Sequence, residues 1–390
     1  MIPSSISARQ FEIARPGYTF RFPQDHYSHN KYKIEWWYFT GHLETERFMT
    51  GHPSPTYDEK NRLPPKIGET PLRHFHGKEK REFGYQLTFF RLGTRLKGNI
   101  RSKWALSDLY FAHLALTDIV NGKFYFDHRI SRGGVGQAGA SGERLRVWTG
   151  NWILSGNFDS VGQLADEEFH LKAATDKLKI DFSLVPGKER VINGKDGFDR
   201  KSSGSGGGSH YYSYTRLMTG GTLTWEGRRQ RVTGVSWMDH EFCTRQIGKY
   251  QQGWDWFSIQ LDNNLELMCY HMRLKDGRPD KYSSGTLVFP NGKYKHLSLK
   301  EFRLTPLRYW VSPETGGRYP IAWKVALPAY KISLQVKADI DNQELNTGGS
   351  TGVNYWEGSV SVSGTYEGSK AGGAGYLEMT GYAGKFDKPI

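Results

Sequence analysis

The chain has 390 residues, a formal net charge of +13 and 14% aromatic residues, and this length allows two domains or one large β domain. No apolar run is long enough to cross a bilayer, which argues against a transmembrane segment. The basic stretches accompany no recognition helix or RNA-binding signature, so we expect no nucleic-acid partner.

The N-terminal residues lack the apolar segment of a signal peptide. We therefore expect either a cytosolic protein or a chain given in mature or trimmed form. The two cysteines, Cys243 and Cys269, are too few for a disulfide scaffold. We expect buried thiols, although a pairing between them stays open.

The first predicted strands recur later in the chain. The segment "WWYFTGHLE" (36–44) matches "WDWFSIQLD" (254–262) at Trp, Phe and Leu. Each is followed by an apolar segment that ends in Arg-Leu, at 83–92 and at 265–274. A repeat of this length is typical of a duplicated structural unit.

A third pair of segments extends the repeat. Residues 214–238 align without a gap with 355–379, so that Met238 matches Met379 and an "EG" turn matches an "EG" turn. Glu-Gly and Asn-Gly pairs supply the positive φ angles that tight hairpins need. Three blocks in the same order indicate duplication of a whole β unit.

Two segments interrupt the first copy. An insertion at about 45–82, rich in Pro, His and charge, reads as a surface excursion, either a lid or a variable loop. A loop at 200–209 contains "SSGSGGGS" and is predicted to be flexible. The boundary between copies falls near 243–253, which gives domains of 1–245 and 246–390.

Short strands in series, with few helix signals, predict an all-β fold of two tandem antiparallel barrels. Closure of each sheet removes the exposed edges that a long meander would present. A barrel of about eight strands can enclose one small apolar ligand.

The stretch "SWMDHEFCTRQIGKYQQGWDWFSIQLD" (236–262) concentrates ionisable groups among tryptophans. In the ungapped alignment, its Asp239, His240 and Glu241 oppose "TGY" (380–382), so the cluster is absent from the second copy. The cluster is either a catalytic centre or a polar cap on a strand end.

Asp255 lies in the same stretch, at the position that Trp37 holds in the first copy. A carboxyl group among aromatic residues either pairs with a cation or stays protonated, because burial disfavours its charged form. The protonated state is the one that a general acid needs.

Other chemistries are less well supported. Histidines and carboxylates suit metal ions, but there is no His-x-His or His-x-x-x-His spacing near the cluster, and His113 and His271 could approach it only through the fold. We therefore expect no metal. Nucleophilic hydrolysis is also disfavoured, because Ser236 and Ser258 lack a recognisable context for a nucleophile.

Aromatic residues either fill the barrel cores or line a dry pocket for a polyene, isoprenoid or other apolar ligand. In the second case their π faces would stabilise a carbocation. The candidate substrate-binding residues are Trp36, Trp37, Tyr38, Tyr85, Gln86, His113, Tyr212, Trp237, Trp254, Trp256 and Tyr270.

Several segments taken together resemble a known family. They are "KIEWWYFTGHLE", "FGYQLTFFR", "FAHLALTD", "HYYSYTRL", "SWMDHEF", "GWDWFSIQLD", "SSGTLV" and "YWEGSVSVSGT". From Phe22 to Ala383 the chain resembles the AttH-like group of lipocalin-like proteins, which is related to carotenoid 1,2-hydratases. The resemblance implies two tandem calycin-type β-barrels, with kievitone hydratase and lipocalin-like Diels–Alderases as more distant relatives.

The resemblance also implies chemistry and setting. Carotenoid hydratases add water across a terminal isoprenoid double bond without a cofactor, using a His, aromatic residues and an Asp that acts as acid. The nearest matches here are His240 and Asp255, with Trp254 and Trp256 as the aromatics. AttH-like proteins tend to be encoded with ABC-type export permeases, which implies a periplasmic or secreted location.

The leading hypothesis is cofactor-free, acid-catalysed hydration of a hydrophobic unsaturated molecule. Asp255 would donate the proton, and His240 with Asp239 or Glu241 would orient or deprotonate the water. The alternatives are a non-catalytic lipid-binding module that works with an ABC-type exporter, and a cyclase of the Diels–Alderase type.

Overall fold

A computed structural model of the chain describes residues 10–45, 81–94, 108–158, 167–349 and 351–384. The expected insertion at 45–82 lies almost wholly outside these residues. Strands dominate, accompanied by short 3-10 turns at Gln24–His26 and Pro328–Tyr330. Among the described residues, no helix is both long enough and apolar enough to cross a membrane.

The first sheet is antiparallel throughout and curls back on itself. Its strands are β1 (Ile34–Thr45), β2 (Glu82–Gly93), β3 (Asp108–Asp118), β4 (Lys123–Arg132), β5 (Ala138–Ala140), β6 (Arg146–Thr149), β7 (Trp152–Phe158), β8 (Glu167–Ala174), β9 (Leu178–Pro186), β10 (Val191–Ile192), β11 (Phe198–Arg200), β12 (Gly208–Trp225) and β13 (Arg228–Cys243). The spatial order is β4-β3-β2-β1-β13-β12-β9-β8-β7-β6-β5, with β10 and β11 also paired to β12.

The second sheet has the same antiparallel character. Its strands are β14 (Gln251–Leu261), β15 (Glu266–Leu274), β16 (Ser284–Val288), β17 (Tyr294–Ser298), β18 (Arg303–Val311), β19 (Arg318–Leu327), β20 (Ile332–Ala338), β21 (Glu344–Asn346), β22 (Asn354–Tyr366) and β23 (Ser369–Thr380). The spatial order is β17-β16-β15-β14-β23-β22-β20-β19-β18, with β21 paired to β22.

The two orders describe one topology used twice. Strands β1 to β4 correspond to β14 to β17, and β13, β12, β9, β8 and β7 correspond to β23, β22, β20, β19 and β18. Matching Glu-Gly hairpins close β12–β13 and β22–β23, and both residues of each turn have positive φ. The predicted all-β fold with an internal duplication is therefore confirmed.

Each sheet wraps its own hydrophobic core. In β20 buried and exposed residues alternate along the whole strand, as expected when one face packs inward and the other meets water. Trp37, Trp152 and Trp225 are buried inside the first curled sheet, and Trp323 and Trp356 inside the second. Among the described residues these interiors are filled by side chains.

Strand register corrects the alignment of the two copies. Phe39 of β1 pairs with Met238, whereas the matching Phe257 of β14 pairs with Leu377. Asp239 therefore corresponds to Glu378, not to Thr380, so the second copy does carry an acid at this position. The strand register and the ungapped alignment differ by two residues. A shift of two keeps every side chain on the same face of its strand, so the alternation pattern does not reveal the difference.

The sheets meet along their central strands, where β1 contacts β23, β2 contacts β22 and β12 contacts β14. Glu266 is fully buried at this interface and accepts hydrogen bonds from Arg216 at 2.6 Å and Lys188 at 2.6 Å. Both cations belong to the first half of the chain. Buried charges of this kind are tolerable only when each has its partner.

We therefore expect Glu266→Ala to lower the free energy of unfolding by about 3 kcal/mol, because it leaves two cations uncompensated at the interface. Urea unfolding measures the change. Asp276→Ala serves as the control, since it breaks an ion pair with Arg278 that is exposed and adds little. Equal effects of the two substitutions would contradict the prediction.

Candidate functional site

A pocket lies between the two sheets. It encloses about 860 Å³ of space between atoms, open solvent at its mouth included. Its walls are formed by Trp36, Tyr38, Gln86, Thr88, Phe90, His113, Lys201, Tyr211, Asp239, Glu241, Gln246, Trp254, Trp256, Tyr270, Met272, Val353, Tyr355, Glu357, Glu378 and Thr380.

Strand alternation explains which residues reach the pocket. Successive side chains of a strand point to opposite faces. In β1, Trp36 and Tyr38 therefore line the pocket while Trp37 enters the first core. In β14, Trp254 and Trp256 line it in the same way. The duplicated strands thus supply both walls of one shared pocket.

Asp239 is buried in the first wall and accepts hydrogen bonds from three side chains. Trp237 Nε1 and the Tyr211 hydroxyl each donate from 2.8 Å, and the Ser213 hydroxyl donates to the oxygen that Trp237 contacts. Burial nevertheless raises the pKa of Asp239 to about 6, because it disfavours the charged form.

Glu357 and Glu378 form a carboxyl pair in the second wall. They lie directly opposite each other in the β22–β23 ladder, where two like charges repel. Tyr38 donates to Glu357 over 2.6 Å and Trp254 Nε1 donates to Glu378 over 2.9 Å. Burial, followed by the neighbouring carboxylate, raises the pKa of Glu357 well above its usual range. Burial raises that of Glu378 to about 7.

Lys201 lies at a third part of the lining. Its ammonium group hydrogen-bonds Glu241 and lies 3.8 Å from Asp199. It also lies over the rings of Trp36 and Tyr211, at 5.6 Å and 5.1 Å from their centroids. Burial raises the pKa of Glu241 to about 7, although Lys201 opposes the shift. The Lys201–Glu241 pair therefore places polar groups on the lining without leaving an unpaired buried charge.

The predicted residues are divided by the fold. Trp37 and Tyr85 are core residues of the first sheet. Trp237 packs in the cluster between the sheets and contacts two lining residues, Asp239 by a hydrogen bond and Trp256 by its ring, without being part of the lining itself. Tyr212 bonds His26 and His240 inside the first half. The pocket brings together the other candidates, namely Trp36, Tyr38, Gln86, His113, Asp239, Glu241, Trp254, Trp256 and Tyr270.

His240 faces the opposite side of β13 from Asp239 and Glu241. Its Nε2 lies 3.0 Å from Glu35, whose same oxygen lies 2.8 Å from His29 Nδ1. The ligand atoms of His29, Glu35 and His240 lie within 4.8 Å of one another, as in a metal site. These atoms already hydrogen-bond one another, and Arg91 holds the second oxygen of Glu35 at 3.1 Å. We assign them to a buried hydrogen-bond network.

Asp255 also lies outside the pocket lining. Its carboxyl group lies 3.4 Å from Arg273 Nε and accepts a hydrogen bond from the Tyr382 hydroxyl at 2.9 Å. Burial raises its pKa while Arg273 opposes the shift. The structure combines the two environments considered for this residue, because Asp255 lies beside a cation and burial still raises its pKa. Its role as proton donor stays a prediction.

Several lining residues escaped the sequence interpretation. Glu357 and Glu378 stand among apolar residues in "YWEGSVSV" and "GYLEMT". An acid within a predicted apolar strand is also the feature that identified Asp239. The same criterion applied to every strand would have found them. Lys201 follows β11 and precedes a Gly- and Ser-rich loop, where nothing in the sequence marks it.

Comparison with known proteins agrees with this architecture. Residues 73–382 match the family model described as AttH-like. A solved structure described as an AttH, from Nitrosomonas europaea, has a TM-score of 0.77 and 30% identity, and the match covers 95% of this chain and 100% of that one.

Two further relatives are named as enzymes. The crystal structure of kievitone hydratase from Nectria haematococca has a TM-score of 0.66 at 12% identity, with 98% of this chain and 99% of that chain covered. At this identity the likeness concerns the fold. The dehydratase asqC of Emericella nidulans is 39% identical over 70 residues, which are 17% of this chain and 20% of that protein.

The buried carboxyl groups predict how stability depends on pH. Because the pKa of Glu378 is raised to about 7, the native chain retains a proton that the unfolded chain releases above its ordinary pKa. The free energy of unfolding should therefore fall as pH rises from about 5 to about 8.

Glu378→Gln removes the titrating carboxyl group. The decrease in the free energy of unfolding between about pH 5 and about pH 8 should therefore be smaller by about 2 kcal/mol. Urea unfolding at several pH values measures the difference. Glu314→Gln, at an exposed position, is the matched control and should keep the wild-type slope. A wild-type slope in Glu378→Gln would contradict the assignment.

Proposed function

The chain belongs to the AttH-like family, and we propose that it is a cofactor-free hydratase or dehydratase. It would add water to, or remove water from, a small hydrophobic molecule held between the two sheets. The observation that carries this proposal is the carboxyl pair Glu357–Glu378, which faces an aromatic pocket from adjacent strands. The hydratase and dehydratase among the relatives support the reaction class.

A reaction of this type needs one acid and one base at the same time. Two carboxyl groups with raised pKa values on one ladder favour a state in which they share a single proton. Glu357, with the higher affinity for a proton, is the donor in this proposal. Glu378 has a pKa near 7 and is partly exposed to the pocket, so it is the group that reaches water.

In the direction of hydration, the Glu357 carboxylic acid gives its proton to one carbon of the double bond, and the π electrons form the new C–H bond. The other carbon becomes cationic, and the rings of Trp254 and Trp256 offer π faces that stabilise it. Water then forms the C–O bond and releases a proton to Glu378. Dehydration runs through the same steps in reverse.

Asp239 completes the acidic part of the pocket. Its three side-chain donors fix its position and leave it as the first-half counterpart of Glu378. It is therefore a positioning and electrostatic residue in this scheme. A carboxylate there disfavours ionisation of Glu357, which keeps the donor protonated.

We expect Glu357→Gln and Glu378→Gln each to reduce turnover by at least about 10²-fold, because each removes one half of the acid–base pair. Incubation with isoprenoid alkenes and tertiary alcohols in water enriched in oxygen-18, followed by mass spectrometry, measures uptake or loss of water. Asp276→Asn, at the exposed ion pair with Arg278, is the control and should keep full activity.

Asp255→Asn decides between the pocket and the residue implied by the family resemblance. If the pocket is the site, this variant turns over substrate while Glu378→Gln does not. The reverse pattern would move the chemistry to the Asp255–Arg273–Tyr382 group and overturn the proposal. An apolar molecule recovered unchanged, with no oxygen exchange in wild type, would identify a binding protein. The expected ABC-type permease and a periplasmic or secreted location stay predictions.

A further inference from the structure

The pocket has a second polar surface, separate from its acids. It is formed by Gln86 on β2 and His113 on β3, and each side chain is only 1% exposed. Gln86 Nε2 donates to Thr88 over 2.7 Å, and His113 Nδ1 lies 2.6 Å from the Tyr355 hydroxyl. Each residue thus has one polar atom held by the protein.

Within the described part of the chain, the other polar atom of each side chain lacks a hydrogen-bond partner. Among the described residues, no protein atom hydrogen-bonds Gln86 Oε1 or His113 Nε2. An unsatisfied buried polar atom costs about 1–3 kcal/mol, so a native structure rarely retains two in one place without a use for them. Both residues line the pocket, which is where a ligand would meet these atoms.

The second copy of the fold provides an internal comparison. By strand register, Met268 stands where Gln86 stands, Tyr270 where Thr88 stands and Ser284 where His113 stands. The Tyr270 hydroxyl contacts both oxygens of Asp199 at 2.8 Å, and the Ser284 hydroxyl donates to Tyr270 at 2.9 Å. Polar groups at the equivalent site are therefore satisfied within the protein.

We infer that Gln86 and His113 bind a neutral hydroxyl group of the ligand, of the alcohol or phenol class. A hydroxyl donates one hydrogen bond and accepts others. It therefore pairs with Gln86 Oε1 and His113 Nε2 at once when the imidazole carries its proton on Nε2, the tautomer in which the Tyr355 hydroxyl donates to Nδ1. An ether or a ketone offers no donor for Gln86 Oε1. This inference rests on the proposed function for its pocket and adds a feature of the substrate.

The charge at this surface agrees with a neutral partner. Burial, with a smaller contribution from His128, lowers the pKa of His113 to about 3. Its imidazole is therefore uncharged at neutral pH and offers a carboxylate no ion pair. Lys201 is already hydrogen-bonded to Glu241, and its ammonium group lies over the rings of Trp36, Tyr211 and Tyr270. The substrate that fits is a hydrophobic molecule with an uncharged hydroxyl group besides the carbons that react.

The test compares three probes on the intact chain: 2-naphthol, 2-methoxynaphthalene and naphthalene. Isothermal titration calorimetry should show 2-naphthol binding about tenfold more tightly than 2-methoxynaphthalene, the difference expected for one buried hydrogen bond. Equal affinities, or no saturable binding of 2-naphthol, would overturn the inference and leave the pair as a site for ordered water only.

The variants Gln86→Met and His113→Phe should each reduce the preference for 2-naphthol to about twofold or less, while naphthalene binds as in wild type. Gln86→Met places at this position the residue that the second copy already has. Met268→Leu is the matched control and should keep the tenfold preference. A preference that survives both substitutions would also overturn the inference.

Thermal unfolding of each variant verifies that it is folded before titration, and the comparison of probes on wild type needs no variant at all. The measurement involves no turnover. Its failure would therefore leave the acid–base proposal standing, and a failure of the oxygen-18 assay would leave the hydroxyl site standing.

Discussion

The central strands of both sheets are buried on two faces, and the rest of the structure depends on this constraint. In β1, Trp37 and Phe39 enter a barrel core while Trp36 and Tyr38 enter the space between the sheets. Water is largely removed from both faces. Every polar group on the outer face must therefore find a partner in the opposite sheet, in its own sheet or in a ligand.

The acids of the pocket are costly under this constraint. Burial of carboxyl groups is unfavourable unless they are neutralised or paired, and Lys201 is the described cation on the lining. A purely structural interface would be more stable with apolar residues at Glu357 and Glu378. Residues that lower stability at a shared pocket are expected where chemistry requires them.

Duplication explains why the two walls of the pocket carry different polar residues at equivalent positions. The same topology, used twice, brings equivalent strands face to face, so each position in one wall has a counterpart in the other. The equivalent positions Asp239 and Glu378 are both acids. Their partners on the neighbouring strands differ, because Asp239 pairs with Ser213 and Glu378 pairs with Glu357. Likewise Gln86 has Met268 as its counterpart. The walls began as equivalents, and the differences between them give the pocket its separate acidic and neutral parts.

The sequence by itself determined the fold class, the duplication and most of the aromatic lining. Alternation within "WWY" and "WDW" is a local property of a strand, and a repeated block keeps it visible. Local pattern also identified Asp239 and Glu241 as unusual. It could not tell which face of the strand leads to a pocket and which to a core.

Only the tertiary structure decided which ionisable groups share a space. Asp255 and His240 are as noticeable in the sequence as Asp239, yet Arg273 and Glu35 hold them on other faces. Glu357 lies more than a hundred residues from Asp239 in the chain and joins it because β22 and β13 both line the pocket. Sequence fixes the side-chain alternation of each strand, but the pairing of distant strands sets the register and burial, and burial sets the pKa values.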